Sequence, residues 1–206
     1  MAADPVLLQF AREPRPGAVK TRMLPHLSPE EACDLHRELV RWTCRQLLDS
    51  GLGEVHLWVA GDAQDPLFVE CLDMGVAGVS VQRGADLGER MYRALAEGLG
   101  DGAAAILVGS DCPALSPAYL ELARGGLSRA DVVIGPAEDG GFVLVGARRL
   151  HRAMFDGVRW GSGEVLARTL DNLRDCGLAV ELLPTLWDVD RPGDLAAWEA
   201  LREVVF

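Results

Sequence analysis

The sequence predicts a three-layer α/β sandwich built around a mainly parallel sheet. Three observations predict it. Apolar runs of strand length alternate with longer amphipathic segments along the 206 residues. Several of those runs are apolar at consecutive positions, as in strands covered on both faces. Ser-Pro pairs that start helices recur between them. The length fits a single domain, 1–206, and 49% apolar residues are enough for a substantial core.

The elements follow in order. Val6–Phe10 reads as the first strand. A helix is expected from Ser28 to Ser50: Ser28 supplies the N-cap, Pro29 the first helical position, Glu31 the capping-box carboxylate and Gly51 the stop. Val55–Ala60 and Val79–Gln82 read as strands, with helices over Pro66–Asp73 and Leu87–Leu99. Ala104–Gly109 is a fourth strand, and Ser116-Pro117 repeats the cap-plus-proline signal before a helix to Ala123. Val132–Gly135 and Phe142–Gly146 follow as strands, then helices over Gly163–Asp175 and Pro192–Val204.

Composition removes several function classes. Twenty basic and 31 acidic side chains give a net charge of −11, a poor match to a nucleic acid polymer or an anionic membrane. Apolar runs such as Ala103–Val108 are too short to span a bilayer, and the first residues lack the basic start of a secretory leader. Five scattered cysteines (33, 44, 71, 112, 176) without a CxxC pair fit a reducing cytoplasm better than a disulfide framework. Nineteen of the twenty basic residues are arginine; the single lysine is Lys20.

In open α/β sheets ligands bind beyond the carboxyl ends of the strands, so the loops that follow strands are where chemistry is expected. The first such loop, 11–22, holds Arg12, Arg15, Lys20 and Arg22 against one acid, Glu13, and adds the Thr21 hydroxyl. This composition suits phosphate oxygens, although a solvated basic loop has the same composition, and no GxxxxGK[ST] motif is present. After the fourth strand comes Gly109-Ser110-Asp111, where a carboxylate is a natural ligand for Mg²⁺ or Mn²⁺ or else a turn residue before Cys112-Pro113. Asp188 and Asp190 alternate in an extended stretch and so share a side. Either could complete a metal site with Asp111, while Asp190 also reads as a helix N-cap. In 82–90, Gln82 can pair with a base edge, and Gly84 and Gly88 permit close approach of a flat ligand. Pro136–Gly141 is either a plain Asp-Gly hairpin or a contact with substrate or metal through Glu138 and Asp139, with Gly140 and Gly141 beside them. The four histidines (26, 36, 56, 151) lie outside these loops and read as structural or surface residues.

Five collinear segments carry a resemblance: Phe10–Met23, Asp86–Met91, Gly109–Pro113, Gly135–Gly141 and Asp188–Pro192. Together they closely resemble a bacterial family of GT-A-fold transferases, usually labelled glycosyltransferase or selenodomain-associated transferase. That family belongs with the nucleotide-diphospho-sugar transferases and is related to 2-phospholactate and molybdenum-cofactor guanylyltransferases. The resemblance implies a Rossmann-like sheet with one or two antiparallel strands, Phe142–Gly146 among them. It implies that Lys20 and Arg22 hold a triphosphate, with Arg12, Arg15, Thr21, Asp86 and Ser110 in the same nucleotide set. It places Gln82, Gly84 and Gly88 at the base, and Asp111 and Asp190 on a divalent metal. The chain departs from the classical pattern in two places: the first loop is proline-rich rather than glycine-rich, and no Asp-x-Asp follows the fourth strand.

The leading expectation is nucleotidyl transfer, in which a phosphate or phosphonate oxygen of a small acceptor attacks an NTP and pyrophosphate leaves. Lys20, Arg22 and Asp111 are the residues expected to carry it, and an anionic acceptor needs no general base. Glycosyl transfer from a nucleotide-diphospho-sugar is the first alternative, with Glu138 or Asp139 as base. A nucleotide-binding module without turnover is the second. The sequence names neither the base nor the acceptor, and leaves open whether the chain forms a homodimer.

Overall fold

The cap signals read from the sequence form as expected. In the computed structural model, which describes residues 4–24 and 26–205, Ser28 Oγ accepts the Glu31 N–H at 3.1 Å and Glu31 returns a carboxylate to the Ser28 N–H at 2.8 Å. This box opens α1 (Pro29–Ser50), which Gly51 ends in the left-handed region at φ 61°. Asp65 and Ser116 cap α2 (Pro66–Asp73) and α4 (Pro117–Leu127) by accepting one backbone N–H each, and each is followed by proline. Residues 1–3, where the leader was sought, lie outside the described residues.

Seven strands form one sheet: β1 (Val6–Arg12), β2 (Val55–Ala60), β3 (Gly78–Val81), β4 (Ala105–Val108), β5 (Val132–Pro136), β6 (Phe142–Ala147) and β7 (Val180–Leu182). Their order is β3-β2-β1-β4-β6-β5-β7. All pairings are parallel except those of β6, which runs antiparallel to both β4 and β5. The Pro136–Gly141 turn therefore joins a true hairpin. The resulting αβα sandwich matches the expected fold class.

Alternation along β1 divides the core. Leu7 and Ala11 face α1, α2 and α4, whereas Val6, Leu8 and Phe10 face α3 (Leu87–Asp101) and α5 (Val165–Asp175). A third, smaller cluster gathers Met23, Leu39, Trp42, Val189 and Trp198, with Trp42 and Trp198 edge to face at 5.4 Å. It clamps the first loop and the 188–190 segment onto α1 and the final helix, α6 (Leu195–Val205).

Some elements differ from the sequence expectation. β7 was not anticipated, because Val-Glu-Leu is too short and too polar to show a pattern. Short 3₁₀ turns form at Thr21–Met23 and Arg152–Phe155, and another takes Pro192–Asp194, so the last helix begins at Leu195. α4 continues past Ala123 through Gly125-Gly126, since a Cβ on Gly126 would meet Val133 Cγ1 at 2.7 Å. Tight packing against β5 requires a glycine there and overrides its poor helix propensity.

Trp198 is 3% exposed within the third cluster. Trp198→Ala is expected to lower unfolding free energy by about 3 kcal/mol, measured by denaturant titration with an unchanged m-value.

Candidate functional site

The crevice forms where β1 and β4 end side by side, and Lys20 lies at its centre. Its side chain is only 5% exposed. Its Nζ donates to Asp111 Oδ1 at 2.6 Å and to the Val189 carbonyl at 2.5 Å. One ammonium thus ties the β1 loop to the β4 loop and to the 188–190 segment. Val189 completes the tie from its own side, donating its N–H to the Asp111 carbonyl at 2.8 Å. Lys20 sits at φ 50°, ψ 37°, the one non-glycine residue of positive φ among the described residues. Such strain persists where the surroundings over-determine a residue.

The neighbours of this tie are fixed in turn. Ser110 Oγ donates to the Phe10 carbonyl at 2.7 Å and accepts from Gln9 Nε2, which also donates to the Val40 carbonyl on α1. His36 on α1 contacts the Arg12 carbonyl through Nε2 at 2.9 Å, and Arg37 donates to the Pro14 carbonyl. The first loop is therefore held in a defined shape by α1.

A cavity of about 620 Å³ opens onto this arrangement. Of the residues expected to bind nucleotide, Arg12, Lys20, Thr21, Arg22, Gln82 and Ser110 line it, together with Asp111 and Asp190. Gln82 Nε2 donates to the Trp58 and Ala11 carbonyls, which fixes the side chain at the cavity wall. Arg90 and His36 also line the cavity and were missed in the sequence. Arg90 lies inside the Asp86–Met91 motif, which gave a usable signal, whereas nothing local singles out His36.

Other expected residues are placed differently. Arg15 is exposed and paired with Glu13 at 2.6 Å. Asp86 caps α3, accepting the Glu89 N–H at 2.8 Å. Gly88 is buried on the far side of α3, where a Cβ would meet Phe155 Cβ at 2.7 Å and Trp160 Cζ2 at 3.0 Å. It makes room for an aromatic wall and, with Asp86, lines a separate cavity outside the crevice. Gly84 has φ 153° and accepts from Arg90 Nε through its carbonyl. Glu138 is exposed and lines neither of the two crevice cavities among the described residues. Gly140, at φ 85°, allows the hairpin to touch the Gly163 carbonyl, 2.3 Å from where a Cβ would stand.

Asp139, Gly141 and Asp188 line a second, adjoining cavity of about 240 Å³. The extended 188–190 segment thus divides its acids: Asp188 faces the smaller lobe and Asp190 the larger. Asp190 is not an N-cap. Its carboxylate pairs with Arg22 at 2.5 Å, and Asp194 accepts the N–H groups of Asp190 and Arg191 instead.

The electrostatics follow from these positions. Burial pushes the Asp111 carboxyl up, but the Lys20 ammonium, aided by His36 and Arg12, outweighs it and holds the pKa below the usual range. For Asp188 the balance falls the other way: burial, then Asp139, Asp111 and Asp190, push its carboxyl up to about 6, and Lys20 offsets this only in part. Among the described residues no three His, Cys, Asp or Glu side chains are grouped to cage a metal. Asp111 and Asp190 line one cavity, and Mg²⁺ commonly takes one or two protein oxygens with water and phosphate completing its shell.

Comparison with known proteins bears on the family and the fold. A bacterial family described as "Uncharacterized protein conserved in bacteria (DUF2064)" matches residues 43–162. The chain belongs to that family. A chain from Desulfovibrio desulfuricans G20, provisionally assigned as a nucleotide-diphospho-sugar transferase, is 32% identical; the match covers 97% of this chain and 88% of that one, with a TM-score of 0.85. An inositol-1-phosphate CTP transferase from T. maritima shares the fold at 15% identity and TM-score 0.64, over 98% and 96% of the two chains. A 4-diphosphocytidyl-2C-methyl-D-erythritolsynthase from Anaerococcus prevotii DSM 20548 does so at 9% and 0.66, over 96% and 97%. No curated protein matches. The fold of this DUF2064 member is thus that of the nucleotide-diphospho-sugar transferases, as the sequence resemblance implied.

His36 is buried, and burial lowers its pKa from the ordinary 6.5 despite the Arg12 carbonyl. The folded chain keeps the ring neutral while the unfolded chain protonates it, so stability is lost as pH falls below 6.5. His36→Phe is expected to flatten that part of the acid limb in melts between pH 7 and about 5, the window set by an unperturbed histidine pKa.

Proposed function

We propose that the chain is a nucleotidyltransferase that joins an NTP to a small acceptor and releases pyrophosphate. The acceptor oxygen forms a bond to the α-phosphorus as the bond to the β-phosphate oxygen breaks. One observation carries this reading: a buried lone lysine, locked to Asp111 and Val189, stands in a cavity that also gathers Arg12, Arg22 and Arg90. Four cations around 620 Å³ suit a triphosphate, whose charge must be held and then stabilised as it leaves. The fold shared with a CTP transferase and a diphosphocytidyl synthase supports the same choice.

Each residue has a role in that chemistry. Lys20 and Arg22 face the β- and γ-phosphates and take up the charge that develops on pyrophosphate. Arg12 and Thr21 orient the phosphate oxygens, and Ser110, held between Gln9 and Phe10, keeps Asp111 in register. Gln82 presents its oxygen to a donor on the base. Asp111 and Asp190, which line the same lobe, would hold Mg²⁺ or Mn²⁺. When bound, that ion supplies charge neutralisation and in-line alignment of the phosphates. Binding requires Lys20 to be shared between Asp111 and the phosphates, and Arg22 between Asp190 and the phosphates.

Glycosyl transfer is the second reading, and Asp139 favours it, because a carboxylate beside the smaller lobe suits a base for a sugar hydroxyl. The leaving group separates the two. Incubation with each NTP and an acceptor panel is expected to release pyrophosphate, with no nucleoside diphosphate from nucleotide sugars. Lys20→Ala and Asp111→Ala should each lower kcat at least ~10²-fold, as removal of a charge-stabilising group does. Turnover at the wild-type rate in either variant contradicts the assignment.

A further inference from the structure

The smaller lobe carries a chemical signature of its own. It opens into the phosphate lobe, sharing Phe10, Leu87, Gly109 and Trp160 as a common wall. Phe142 and Trp160 supply an aromatic side, edge to face at 6.3 Å, and Phe155 backs both at 6.5 and 6.0 Å. Its charged lining residues are Asp139 and Asp188; among the described residues no lysine, arginine or histidine lines it. Arg22, whose charge reaches both acids, lines the other lobe and is bonded to Asp190.

This lining discriminates between ligand charges. Two carboxylates beside an apolar surface repel an anion and attract a cation, more strongly than they would in water. Aromatic faces attract a cation as well. The volume of about 240 Å³ suits a body the size of a single ring. The phosphate-bearing acceptor expected from the sequence rested on the absence of histidine from the crevice loops, and the cations of the first loop line the other lobe.

We propose that the smaller lobe is the acceptor subsite and binds a small amine, with an apolar or aromatic body against Phe142 and Trp160 and an ammonium group at Asp139 and Asp188. The word "acceptor" rests on the nucleotidyltransferase reading, since adjacency to the phosphate lobe is what makes the occupant a co-substrate. The ligand class rests on the lining alone. The ammonium serves recognition, and the attacking group lies toward Gly109, where the lobes meet.

The test is calorimetric titration of the full chain with three probes that share one ring: phenethylamine, 2-phenylethanol and 2-phenylethyl phosphate. Each is run with EDTA and with Mg²⁺. The amine is expected to bind at least about tenfold tighter than the other two in both conditions, the scale of a partly exposed charge pair. Asp139→Asn should remove about tenfold of the amine affinity and leave the alcohol unchanged, which also shows that the lobe is intact; Asp139→Glu should restore the preference. A phosphate probe that matches or exceeds the amine with Mg²⁺ overturns the proposal and gives the two acids to the metal. Equal affinities, or no binding by any probe, also overturn it. A parallel titration with magnesium nucleotide separates the two levels of inference. Nucleotide binding without amine preference removes the ligand class alone. Amine preference in a chain that binds no nucleotide upholds the ligand class and removes the transferase reading.

Discussion

The contact on which the rest of the site depends is the ammonium of Lys20. Three chain segments far apart in sequence meet at it: the loop after β1, the loop after β4, and residues 188–190. A buried ammonium without partners would be expensive, so both partners must be delivered to it. The third hydrophobic cluster does this by burying Met23 and Val189 completely on either side, so that the polar tie and the apolar clamp reinforce one another. The left-handed backbone at Lys20 is then a consequence: the loop must turn sharply enough to send its side chain inward.

From this centre the crevice separates into two lobes of opposite character. The larger gathers the guanidinium and ammonium groups around Asp111 and Asp190, and the smaller has carboxylates and aromatic faces with no cation in its lining. The 188–190 segment forms the border and sends one acid to each side. An acidic chain of net charge −11 can therefore hold a polyanion because its cations converge at one place. Asp111 and Asp188 illustrate how local this balance is, since the first is held ionised by Lys20 while the second is pushed up by burial and then by its acidic neighbours.

What was legible in the sequence was what local chemistry encodes. The Ser28 box, the Ser116 cap, the strand runs and the cation-rich first loop are each written within a few residues, and all were read. β7 was not, because three residues of mixed polarity carry no periodicity. Gly88 looked like a site for ligand approach, since its reason, the indole of Trp160, lies far along the chain. Asp86 differs from these: Asp86-Leu-Gly-Glu89 is a capping pattern legible within four residues, and its carboxylate accepts the Glu89 N–H. His36 and Arg90 reach the crevice only through the packing of α1 and α3, which no short window reveals.

The central claim is that Lys20 and its partners form a triphosphate site. It is tested most directly by thermal stability in the presence of Mg²⁺ with each NTP and with the matching nucleotide-diphospho-sugars. One triphosphate is expected to stabilise the wild-type chain by about 2.7 kcal/mol at a concentration a hundred times its dissociation constant. Its nucleotide-diphospho-sugar should give a smaller effect, and Lys20→Ala should abolish the triphosphate response. Equal stabilisation of wild type and Lys20→Ala, or stabilisation by the nucleotide sugar alone, would contradict the account.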